Sequence, residues 1–168
     1  MTRQLSDAAL SSENETDYRE IFMSDKSRKA SLARLVAAVP GSAPDGREPR
    51  AFMLEWLSAF APDMTYRDAK AYCLPRLMYK NHLWHAFSFE KTDFCAGESA
   101  MESAIGAFTG KCLLYFEDGG LLLAVEDGSV LTPELLSGFS NVIAATGDMK
   151  KTYVYTGEEN TGPYYKEV

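Results

Sequence analysis

Residues 111–128 read KCLLYFEDGGLLLAVEDG. Two apolar runs, Cys112 to Phe116 and Leu121 to Val125, flank Asp118-Gly119-Gly120, and so short an acidic, glycine-bearing link between apolar runs is a strong hairpin signal. The runs are apolar throughout rather than alternating, which suits strands covered on both faces. The stretch predicts a hairpin at the centre of a sheet.

Downstream, TPELLSG at 132–138 predicts a short helix with Thr132 as cap and Pro133 in the first position. NVIAAT and KTYVYTG, joined through Gly147-Asp148, predict a second pair of short strands, and EENTGPYYKEV closes the chain as a turn-rich tail. Upstream, GESAMESAIGAFTG at 97–110 sets Ala100, Met101, Ala104, Ile105 and Phe108 on one helical stripe before a terminal glycine. In NHLWHAFSFE, 81–90, Leu83, His85, Phe87 and Phe89 alternate with Trp84, Ala86 and Ser88, so a strand is expected from about 83 to 90.

Toward the N-terminus the pattern becomes helical. AFMLEWLSAF at 51–60 has so wide an apolar surface that the helix is expected to be largely buried. TYRD at 65–68 resembles a capping box with Asp in place of Glu and opens a helix that runs until Pro75 interferes. Leu74 to Lys80 has no clear assignment. From Ser24, Leu32, Leu35, Val36 and Val39 fall at helical spacing before Pro40-Gly41, while Lys26, Arg28, Lys29 and Arg34 form a solvated opposite face. The first fifteen or so residues look loosely ordered. PGSAPDGREP, 40–49, holds three prolines and two glycines and is read as a loop and a boundary. The expected division is an N-terminal helical arm with a disordered start at 1–48 and a core domain at 49–168. The class is α+β: a mainly antiparallel sheet of about five strands with helices packed on it, and a helix-rich N-terminal third.

The chain of 168 residues has room for one real core, with 46% hydrophobic and 24% charged residues. Its longest apolar runs fall far below the roughly 18 residues of a membrane span. The polar, acidic start lacks the cationic and apolar parts of a secretory signal, so a cytoplasmic location without membrane contact is expected. Three cysteines, Cys73, Cys95 and Cys112, without CxxC spacing read as reduced, packed thiols. Net charge is -7, and the deficit lies wholly after residue 50, where 9 basic residues face 16 acidic ones. Such a domain repels nucleic acid and suits a protein partner with a basic surface.

Candidate chemistry is sparse. His82 and His85 lie three apart, which in a strand sends them to opposite faces, so no metal is expected. The pairs Glu117-Asp118, Glu126-Asp127 and Glu158-Glu159 read as solvated loop ends. No G-x-S-x-G elbow and no phosphate-binding glycine motif is present, and neither a catalytic residue nor a cofactor is expected. What remains is aromatic. Tyr153 and Tyr155 share one face of a strand, and Tyr164 and Tyr165 follow Gly162-Pro163, so a tyrosine-bearing sheet edge suited to an interface is expected. Trp84 and His85 complete the candidate binding set.

LWHAFSFE, then CAGESAMESAIGAF, the apolar hairpin, and TYVYTGEENTGPYY together resemble a bacterial family of small uncharacterised proteins, a domain of unknown function, over about residues 80 to 165. That family pattern carries Thr-His-Glu after the last strand, where this chain has Thr156-Gly157-Glu158. The resemblance implies a bacterial cytoplasmic protein and supplies no activity. The expected function is a non-enzymatic protein-binding or immunity-like accessory module. The alternative is a small enzyme or ligand-binding protein with a pocket around His85 and the C-terminal tyrosines.

Overall fold

The computed structural model describes residues 24–76 and 81–168. The loosely ordered start expected for the first residues lies outside them. At the centre stands the predicted hairpin, β3 (Cys112–Phe116) and β4 (Leu121–Val125), paired antiparallel in full register. Its link is a 3-10 turn, Glu117–Gly119, closed by Gly120 in the left-handed conformation at φ 61°. β5 (Val142–Thr146) pairs on the other side of β3, and β6 (Lys151–Tyr155) follows it.

The class is α+β with an antiparallel sheet, and the sheet has seven strands in the order β1-β4-β3-β5-β6-β7-β2. Three strands were not expected. β1 (Ser42–Pro44) comes from the proline-rich loop and pairs with β4. β2 (Cys95–Ala96) is an exposed two-residue edge. β7 (Tyr164–Glu167) is the supposed turn-rich tail, inserted between β6 and β2.

Alternation along the strands sends side chains into two separate cores. One face carries Leu113, Tyr115, Leu122, Ile143, Val154 and Tyr164. It is covered by α2 (Pro49–Phe60), α3 (Tyr66–Tyr72) and α4 (His85–Ser88). The opposite face carries Leu114, Phe116, Leu123, Val142, Ala144 and Tyr153. Against it lie α1 (Asp25–Ala38), α5 (Glu98–Ala104) and α6 (Pro133–Leu136). Helices on both faces explain why the central runs are apolar without alternation.

Local signals work where the caps are explicit. Ser24, Thr65 and Thr132 each accept a backbone N–H at the start of α1, α3 and α6. The buried character of 51–60 is realised in α2, where Trp56 Nε1 donates to Thr152 Oγ1 at 2.9 Å across to the sheet.

The strand expected over 83–90 is a correction. The segment is a turn leading into α4, and its buried residues are Leu83, Trp84, Ala86 and Phe87, while Phe89 is exposed. An alternating strand would have buried 83, 85, 87 and 89; burial at 83, 84, 86 and 87 is a helical stripe. The helix over 97–110 is shorter than expected. It ends at Ala104, with Gly106 left-handed at φ 69°, which leaves Met101 and Ile105 exposed while Ala100, Ala104 and Phe108 stay buried. Cys95 is exposed rather than packed, and Cys73 and Cys112 are buried; all three are free thiols.

Candidate functional site

The first residue beyond β3 is Glu117, and the turn at 81–85 folds over it. β3 is buried along its whole length, and Glu117 opens the turn that follows it beneath this cover. Its side chain is 6% exposed. One carboxyl oxygen accepts the backbone N–H of Leu83, and the other has no hydrogen-bond partner and lies 3.9 Å from His82 Nδ1. Burial first, and then the neighbouring Asp118, push the carboxyl well above the ordinary carboxylate range, against the backbone N–H groups of Leu83 and Trp84, which lower it. The reading of Glu117-Asp118 as a solvated loop end therefore holds for the exposed Asp118 and fails for Glu117.

The covering turn is tied down on several sides. Asn81 donates to the carbonyls of Ala71 and Leu74 at 3.2 and 3.0 Å. Trp84 Nε1 donates to Asn141 Oδ1 at 3.1 Å, and Asn141 in turn donates to Asp118 at 3.0 Å. His85 Nδ1 lies 2.9 Å from the Tyr72 carbonyl oxygen. The His82 ring stacks on Trp84 at 5.3 Å with planes 10° apart, and its edge contact with His85 is 5.7 Å. The two imidazoles expected to diverge thus stand side by side, because a turn and a helix replace the strand. No cluster of three or more His, Cys, Asp or Glu able to hold a metal occurs among the described residues.

Outside this turn an aromatic patch reaches solvent. Phe89 is 51% exposed and Tyr72 37% exposed, with rings 5.4 Å apart. His85 touches Phe89 at 5.0 Å, and Lys91 Nζ sits 4.7 Å over the Tyr72 ring. Exposed Glu90 and Asp93 flank it in the chain.

Of the six residues singled out for binding, Trp84 and His85 meet at 4.4 Å. The tyrosines are divided between the two cores. Tyr164 packs with Phe87 at 5.5 Å and Phe94 at 5.1 Å on one face. Tyr153 and Tyr165 are buried cross-strand partners on the other, with Tyr155 half-buried beside them. Among the described residues no ring contact joins Tyr164 or Tyr165 to His85. Burial pushes the Tyr153 and Tyr165 hydroxyls up to about 12.

At the other end of β3 a shallow groove of about 410 Å³ runs between Lys111, Thr146, Lys150 and Lys151. Its cations are answered by acids: Lys111 lies 4.0 Å from Glu126, and Lys151 lies 3.8 Å from Glu167. The Thr146 hydroxyl above all, and more weakly Lys150, hold the Asp148 carboxyl below its usual range.

Fold and site together define a layered α+β protein whose central strand ends in a buried carboxyl beneath a histidine–tryptophan turn. Residues 49–165 match the family described as a domain of unknown function (DUF4275), and the chain belongs to that family. No curated protein and no solved structure matches it.

Proposed function

We propose that this chain is a non-enzymatic protein-binding module, an accessory or immunity-like protein of the bacterial cytoplasm, and that it engages a basic-surfaced protein through Tyr72, His85 and Phe89. The observation that carries this reading is the exposed pair Tyr72 and Phe89, whose tilted rings lie in contact at 5.4 Å. Aromatic side chains at the centre of a patch with a polar rim are the usual anchors of protein interfaces. Exposed Glu90, next to Phe89, supplies an acidic rim in keeping with the net charge of -7, while Asp93 is already paired with Lys166 at 2.7 Å. The candidate tyrosines 153, 164 and 165 are core residues rather than contacts in this reading, since each is buried. No helix among the described residues is long and apolar enough to cross a membrane.

The test is a comparison of two immobilised baits, the wild-type chain and the double variant Tyr72→Ser, Phe89→Ser, at low and high salt. Support is a basic protein held at low salt by the wild type, released by salt, and bound at least about tenfold more weakly by the variant. Equal retention by both baits, or no retained protein at low salt, sinks the proposal.

A further inference from the structure

We propose that Glu117 and His82 share a single proton, and that this proton clamps the turn at 81–85 onto the end of β3. The geometry leaves one buried carboxyl oxygen facing an imidazole nitrogen at 3.9 Å with nothing donating to it. A buried oxygen in that state is costly, and one proton resolves it in either of two ways. A carboxylic acid O–H donates to a neutral His82 Nδ1, or a protonated His82 Nδ1 donates to the carboxylate. Both require the two groups to close from 3.9 Å to hydrogen-bond distance. The remaining oxygen keeps its backbone partner, Leu83, in both forms.

The surroundings favour one proton over two or none. Asp118, next along the turn, opposes a second negative charge, and burial opposes it more strongly. Tyr115 on β3 and Cys73 beyond α3 also feel Glu117; burial above all keeps both protonated, the thiol up to about 12. Arg28 of α1 acts on Tyr115 and is occupied with the Gly120 carbonyl at 2.8 Å, while Lys91 acts on Cys73. His85 stands edge-on to His82 and is held at the Tyr72 carbonyl, so a second proton on the pair would set a bare cation beside it. His82 is 18% exposed, which gives the shared proton a route to water. The clamp stands whether or not the aromatic patch binds a partner.

The chain has two histidines, so their ring signals can be followed individually by NMR across pH, with His85→Asn for assignment. Leu83 amide exchange, corrected for its intrinsic pH dependence, is followed in parallel. In the wild type the His82 signal should show two coupled steps, and Leu83 protection should fall about tenfold above the upper one. In Glu117→Gln, which retains an acceptor for Leu83, the His82 signal should show one step at lower pH and the Leu83 step should vanish. Should that variant fail to fold, His82→Asn must abolish the same Leu83 step. Identical His82 titration in the wild type and Glu117→Gln, or Leu83 protection without a pH step in the wild type, overturns the proposal.

Discussion

Glu117 is buried because the turn at 81–85 folds over it, with the Leu83 N–H on its carboxyl and His82 beside it. Burial of the preceding strand does not decide this alone, since all five residues of β5 are buried and Gly147 after it is exposed. Burial raises the titration of Glu117 in the folded state, whereas the unfolded chain releases this proton near the ordinary value of 4.5. With the folded value raised, the native state binds more protons in this window, so this group's contribution is complete in acid and is lost as pH rises through its folded titration. Chemical denaturation across pH should show wild-type stability declining above the carboxylate range, and Glu117→Gln should flatten that decline while changing little in acid. The thiols obey the same burial rule. Cys73 and Cys112 are pushed up to about 12 and about 11, mainly by burial, whereas Cys95 is exposed. A chromogenic disulfide reagent at mildly alkaline pH should modify one thiol in the native protein, with loss of that reaction in Cys95→Ser, and three after denaturation.

Elements with explicit start and stop chemistry were legible from sequence, and those decided by an ambiguous apolar pattern were not. Ser24, Thr65 and Thr132 announce helices that form, and Asp118-Gly119-Gly120 announces a hairpin that forms in full register. The segment 83–90 carries apolar residues on both candidate periods, and packing against Trp56 and Tyr164 through Phe87 selects the helical one. That selection brings His82 beside His85 and over Glu117, so the site was hidden for the same reason as the element. Gly128 is a further case. An added Cβ would stand 2.4 Å from Cys112 Sγ and 3.2 Å from the Phe108 backbone, where a 3-10 turn presses on β3. Gly128→Ala should lower the unfolding free energy by about 1–3 kcal/mol in urea titrations, as overpacking does.

At the scale of the molecule, the C-terminal strand ties the layers together. β7 lies between β6 and β2, and sends Tyr164 into one core and Tyr165 into the other. Removing residues 164–168 should abolish cooperative thermal unfolding followed by circular dichroism, since it opens both cores and bares the edge of β6. Retention of a sharp transition by the truncated chain would contradict this placement of β7. By itself, the sequence determined the α+β class, the antiparallel hairpins at 112–125 and 142–155 and the buried helix at 51–60, because periodicity, caps and turn residues act over a few neighbours. Only the tertiary structure decided the three added strands, the helical form of 85–88 and the burial of Glu117. Each of these depends on which distant surface covers a segment, and that choice is made by packing across the sheet rather than by residues adjacent in the chain.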